Sequence, residues 1–183
     1  SAMLIEKLQA EYWKPVQAGN LKDSDSHFIQ EFTSCQKIHP EQFKLTEPMS
    51  PHAAAKIDGI KINLTDFEIP QTNSPLIIEG AGGLMVPLND NDLVLDLVKH
   101  INLEVIIVSQ NYLGSINHSL LTIEVLQKND IQIKGIIFNG ESNPETERII
   151  ELQTGICVLA KIPKLDKITK ENIKKYSKKI HIS

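Results

Sequence analysis

Short apolar runs that stop abruptly at a polar residue or a glycine recur along the chain. They are Tyr12-Trp13 before Lys14, Leu76-Ile77-Ile78 before Glu79, Val105 to Val108 before Ser109, Gly135 to Phe138 before Asn139, and Cys157 to Ala160 before Lys161. The runs do not alternate apolar with polar positions, so each predicts a buried parallel strand rather than half of a hairpin. Between them apolar residues recur at helical spacing: Leu93 with Leu97 and Val94 with Val98, then Leu120, Leu121, Val125 and Leu126, then Ile149, Ile150 and Leu152. Strands and helices in alternation predict an α/β fold with a parallel sheet. Ligands of such sheets sit beyond the carboxyl ends of the strands, which makes Lys14, Glu79, Ser109 and Asn139 candidates by position alone.

The front of the chain departs from this order. Met3, Leu4, Ile5 and Leu8 form a helical pattern with no strand before it, whereas a doubly wound domain opens strand, turn, helix. Ser1 reads as a helix cap or, with Ala2, as a cloning remnant. A length of 183 residues suits one domain over residues 1–183. With 41% hydrophobic and 23% charged residues, disorder, collagen and coiled coil drop out. The net charge of -4 removes bulk attraction to nucleic acid or to an anionic membrane, so a bound anion has to be held locally. Cys35 and Cys157 stand far apart, the N-terminal stretch SAMLIEKLQAEYW, with acids among its apolar residues and no basic start, does not read as a signal peptide, and no run approaches the roughly 18 apolar residues of a membrane span. The expectation is a soluble protein of the reducing cytoplasm. The lysine-rich tail, Lys164 to Lys179, reads as a solvated helix face.

Four segments are candidates for chemistry. In WKPVQAG, Pro15 forces Lys14 out of helical geometry, so its ammonium emerges at a strand end, either as a fixed cation or as a snorkelling lysine; Gly19 then permits a tight backbone approach. In DSDSHF, Asp23 to Phe28, the acids and serines suit the cap of a helix running through Ile29 and Phe32, and a carboxylate there also suits a hard cation such as Mg²⁺. LIIEGAGGLMVPL sets Glu79 directly after a strand and before Gly80, Gly82 and Gly83, a layout fitted to phosphate and Mg²⁺, because a lone buried glutamate is costly unless it is paired or bound to metal. NYLGSINHSLL places a glycine and small polar residues before a helix, which serves as a capping turn or as a carboxylate site. His52 and His118 read as hydrogen-bonded structural histidines.

Taken in order, KPVQAG, SD, EPMSPHAAA, IIEGAGGLMVPL, LGSINH with LLT, FN and IP follow the sequence and spacing of dethiobiotin synthase, and the chain resembles that family over about residues 1 to 165. The resemblance implies a homodimer of Rossmann-like subunits with a P-loop NTPase fold, a mostly parallel sheet with helices on both faces. It implies conversion of 7,8-diaminononanoate, CO2 and MgATP to dethiobiotin, ADP and phosphate. Carried over by motif, Lys14 steadies the carbamate and the transferred phosphoryl group, and Asp25 and Glu79 hold Mg²⁺ and belong to the nucleotide site. Asn139 matches the adenine-binding asparagine, with Ile162 and Pro163 beside the nucleotide. Gly19, Ser50, Gly82 and Gly83 line the substrate, and the turn of Gly114, Ser115, Ile116 and Asn117 receives the far carboxylate across a subunit interface.

Two departures stand out. The family pattern has Asp after the adenine-binding asparagine, where this chain has Gly140. The family also begins with a strand and a Gly-rich phosphate loop ending Gly-Lys-Thr, just before the helix that starts here at Ser1. The expectation is therefore that the natural protein carries residues ahead of Ser1; a chain that had truly lost them would be a non-catalytic binding or regulatory relative. A third reading keeps the ATPase chemistry and changes the substrate.

Overall fold

A computed structural model describes residues 1–182 and divides them into two compact units, residues 1–101 with 169–177, and residues 102–168 with the tail from Lys178. The fold class is α/β throughout, and every paired strand runs parallel to its neighbours.

In the first unit, α1 (Ala2–Leu8) leads into β1 (Glu11–Trp13), which ends where Pro15 follows Lys14. β1 lies between β3 (Ile38–His39) and β5 (Leu76–Ile78), and a second parallel pair joins β2 (Val16–Ala18) to β4 (Phe43–Leu45). Because strand side chains alternate, β1 feeds two cores. Tyr12 packs with Ile5 and Ile29, while Trp13 packs with Val16, Leu45, Ala54, Phe67, Leu88 and Val94. Fully burying side chains of this size contributes about 1.5–3 kcal/mol each before conformational entropy is charged against it. α2 (Asp25–Phe32) is capped by the Ser24 side chain with His27 closing a capping box, and α3 (Pro51–Asp58) starts on a proline that its first turn tolerates. α4 (Val94–Ile101) completes this part of the chain.

The second unit orders its strands β6 (Val105–Gln110), β7 (Ile133–Gly140) and β8 (Val158–Pro163). α5 (Ser115–Lys128) packs on β6 and β7, and α6 (Pro144–Thr154) packs on α5. α7 (Lys170–Ser177) belongs to the first unit, where it packs on α1. Its lysines are solvated as expected, but Ile173 is buried beneath them. Among the described residues, no helix is long and apolar enough to cross a membrane.

Three expectations need correction. β5 and β6 were expected to be buried on both faces, yet β5 is only half-buried and Val108 of β6 is 57% exposed. Along β6 buried and exposed positions alternate from Ile107 to Gln110, so one face of the strand is uncovered there. Ser1 precedes α1 without capping it through its side chain. His52 is not hydrogen-bonded through Nδ1, which is buried without a partner.

The sequence did not mark β2, β3 or β4, which are only two or three residues long. The β2–β4 pairing fixes the position of Gly19, whose amide donates to the Leu45 carbonyl. Gly19 adopts φ +69, and a Cβ there would lie 2.5 Å from Pro48 Cα. The close approach read from the sequence is thus made to Pro48. Gly19→Ala is expected to lower unfolding stability by about 1–3 kcal/mol, through left-handed strain and this clash. Chemical denaturation reads the effect, and an unchanged midpoint would show that the loop relaxes freely.

Candidate functional site

Register builds the centre of the first unit. Trp13 pairs with Ile78, and the Glu79 amide donates to the Trp13 carbonyl, so Lys14 and Glu79 leave neighbouring strand ends side by side. Asp25 arrives from the first turn of α2, where its amide lies 3.4 Å from Gln17 Oε1. Lys14 Nζ is 2.8 Å from Asp25 Oδ2, 3.4 Å from Glu79 Oε1 and 3.2 Å from the Gly80 carbonyl oxygen. Three acceptors for three ammonium protons satisfy a side chain that is only 7% exposed. The snorkelling alternative requires a solvated head, and the Lys14 ammonium is not solvated.

The carboxylates are more open, with 50% exposure at Asp25 and 31% at Glu79. Burial acts to raise the Glu79 pKa, but the Ser1 hydroxyl, which donates to Oε2, and the Lys14 charge outweigh it and hold the carboxyl below its ordinary range. Among the described residues no cluster of three or more His, Cys, Asp and Glu forms a cage for a metal. A pair of accessible carboxylates suits Mg²⁺ instead, because this ion keeps its waters and takes phosphate oxygens beside one or two carboxylates. The donor set therefore fits the ion.

Gly82 and Gly83 lie on the loop that follows Glu79, where the Val86 amide closes a turn on the Gly83 carbonyl. Ser50 stands at the N-cap of α3.

In the second unit, Asn139 pairs in register with Ile162 and Gly140 with Pro163, so Asn139, Ile162 and Pro163, three of the five residues read as nucleotide-binding, are neighbours at one strand end. Asn139 and Pro163 are exposed there and Ile162 is buried. Gly140 has φ +107, a conformation that an aspartate rarely adopts, and its carbonyl accepts from the Lys164 amide. The departure from the family's Asn-Asp pair is thus matched by the backbone.

Gly114, at φ +103, is the N-cap of α5, and Ser115, Ile116 and Asn117 form its first turn rather than the loop before it. Ser115 Oγ is buried without a hydrogen-bond partner, beside amides that have no acceptor within the helix. His118 Nδ1 pairs with the Tyr112 hydroxyl, and Ser109 and Ser119 share a buried hydrogen bond of 2.8 Å.

Sequence reasoning missed three groups. The Gly80 carbonyl belongs to the Lys14 cradle, and no side-chain pattern marks it. Tyr12 lies two residues before Lys14, and that spacing on an extended chain was the available signal. Glu147 of α6 is 2% exposed and accepts at Oε1 from Asn111 Nδ2 at 2.9 Å, from the Asn143 amide at 3.1 Å and from Ser142 Oγ at 3.2 Å, while Lys161 Nζ lies 2.9 Å from Oε2. It resembled any surface helix acid.

A family model described as an AAA domain matches residues 1–172. Among curated proteins, an ATP-dependent dethiobiotin synthetase BioD of Cytophaga hutchinsonii is 50% identical over 183 residues, covering 98% of this chain and 88% of that protein. A protein of the same name from Christiangramia forsetii is 45% identical, covering 98% and 89%. Another from Paramagnetospirillum magneticum is 38% identical, covering 94% and 84%. These similarities extend across 94–98% of the chain. The chain belongs to the ATP-dependent dethiobiotin synthetase family, on a P-loop NTPase fold.

Proposed function

We propose that the chain forms dethiobiotin from 7,8-diaminononanoate, CO2 and ATP, with Lys14, Asp25 and Glu79 handling the phosphoryl group. The observation that carries this reading is the convergence of the buried Lys14 ammonium on both carboxylates and the Gly80 carbonyl. One substrate amine takes up CO2 as a carbamate, whose oxygen attacks the γ-phosphorus and releases ADP. The second amine then attacks the carbonyl of the mixed anhydride, closes the ureido ring and expels phosphate with loss of a proton. No side-chain nucleophile is required. The work of the protein is positioning and charge neutralisation. Lys14 is the fixed cation for negative charge on the carbamate and the moving phosphoryl group. Asp25 and Glu79 hold Mg²⁺, which when bound neutralises phosphate oxygens of the nucleotide. Incubating the protein with the three substrates should yield dethiobiotin and ADP in equal amounts, and ADP release indifferent to diaminononanoate would overturn the substrate assignment.

The finer assignments follow the same reading. Asn139, Ile162 and Pro163 take the adenine, and Gly19, Ser50, Gly82 and Gly83 belong to the substrate and loop surfaces. The N-terminal turn of α5, Gly114 to Asn117, takes the distal carboxylate, supported by the unpartnered Ser115 hydroxyl. The AAA-domain match runs through both compact units, which supports their acting as one domain. Two free cysteines fit the reducing cytoplasm.

A homodimer completes the proposal. Tyr112, Leu113, Ile116 and Leu121 expose 53%, 102%, 37% and 52% of their surface around this turn, an apolar patch suited to a two-fold mate. Light scattering is expected to give twice the chain mass, with an interface above about 1,000 Å². Asn117→Ala should weaken diaminononanoate binding and leave ATP binding nearly unchanged. A monomeric mass at micromolar concentration would remove the shared carboxylate site.

A further inference from the structure

Tyr12 is 0% exposed, with its ring among Ile5, Ile29, Ile38 and Ile77. A phenylalanine would fill the same space. The hydroxyl is buried without a hydrogen-bond partner, and Tyr12 pairs with Ile77 of the neighbouring strand, two residues before Glu79. A buried O–H that has left water without gaining a partner is a liability to the fold, so its retention asks for another reason.

The partners of Glu79 indicate what that donor is for. In this structure Glu79 Oε1 faces Lys14 and Oε2 accepts from Ser1. A divalent cation competes with the Lys14 ammonium for the same carboxylate, and the two positive charges repel. A neutral hydroxyl can hold a carboxylate oxygen without opposing a cation on the other. We propose that Tyr12 is a positioning residue for Glu79, donating its hydroxyl proton to that carboxylate when the carboxylate engages a divalent cation together with the nucleotide. The inference rests on the reading of Asp25 and Glu79 as the Mg²⁺ carboxylates. It adds a role for a residue that neither the motifs nor the Lys14 cradle includes.

The test is calorimetric titration of Mg²⁺ into the protein saturated with a non-hydrolysable ATP analogue, comparing the unmutated protein with Tyr12→Phe and Glu79→Gln. Tyr12→Phe should bind Mg²⁺ about tenfold more weakly, as losses of groups that orient a metal ligand do. Its cation-free thermal midpoint should be unchanged or higher, because the variant removes an unsatisfied buried hydroxyl. A merely structural hydroxyl predicts the reverse pair, a lower midpoint with unaltered Mg²⁺ affinity, and that result would overturn the proposal. If Glu79→Gln weakens Mg²⁺ binding while Tyr12→Phe does not, the role of Tyr12 fails and the carboxylate reading survives. If Glu79→Gln binds Mg²⁺ normally, the carboxylate reading fails first. Should Tyr12→Phe not fold, ¹³Cζ-tyrosine NMR of the unmutated protein decides, since only three tyrosines contribute signals. The Tyr12 signal is expected to move when Mg²⁺ joins the nucleotide analogue and to stay still in Glu79→Gln; a stationary signal in the unmutated protein overturns the proposal.

Discussion

Lys14→Ala is expected to lower kcat for dethiobiotin formation by about two orders of magnitude or more, the size of other single losses of transition-state electrostatics. ATP affinity should be nearly unchanged. The ammonium is buried and its three protons already have acceptors in Asp25, Glu79 and Gly80. Its charge is therefore oriented before substrate arrives, and little reorganisation is needed as the carbamate and phosphoryl group gain negative charge. An interaction that strengthens only along the reaction appears in kcat rather than in binding. The variant also leaves two carboxylates facing each other without their shared cation, so the Glu79 pKa moves up from its depressed position. Assays well above the ordinary glutamate value of 4.5 keep Glu79 ionised and isolate the loss of the ammonium. Near-normal turnover would return Lys14 to a purely structural role.

Part of this site is legible in the sequence because its determinants are local. Pro15 forces the chain to stay extended at Lys14, an apolar run ends at Glu79, and Ser24 caps the helix that carries Asp25. What brings the three together is parallel register, with Trp13 beside Ile78, and register follows from strand pairing that no single segment encodes. The Gly80 carbonyl and the Tyr12 hydroxyl were hidden for the same reason. One is backbone, and the other acquires its meaning only after burial has removed its water. The short strands β2, β3 and β4 were missed because each contains a polar residue, Gln17, His39 or Lys44, and so forms no apolar run, and β2 is held by pairing with β4 rather than by its own pattern. The opposite error occurred at β5 and β6. Apolar runs there predicted burial on both faces, but burial alternates along β6 and leaves Val108 on an uncovered face.

Glu147→Ala is expected to destabilise the fold measurably although it lies outside the main cores. The carboxylate is 2% exposed and holds the Asn111 side chain, the Ser142 hydroxyl and the Asn143 amide, tying the turn after β6 to the turn after β7. Truncation removes the acceptor shared by these part-buried and exposed donors, which can regain water in part, at a cost of about 1–3 kcal/mol in total. Lys161, at 52% exposure, regains water and contributes little of that loss. Burial acts to raise the Glu147 pKa, but the Lys161 charge and the Asn143 and Asn111 hydrogen bonds outweigh it and hold the group below 4.5. A depressed carboxylate contributes stability that is fully present above its unfolded value and is lost as pH falls through its folded value. The stability gap between the unmutated protein and Glu147→Ala should therefore be widest near neutral pH and narrow as acid protonates the buried group. Because Asn139 stands at the end of β7, the same variant is expected to raise the KM for ATP in the fraction that remains folded. Urea unfolding at neutral and acidic pH, with ATP saturation curves, reads both effects; a gap that stays constant with pH would show that Glu147 acts through packing rather than charge.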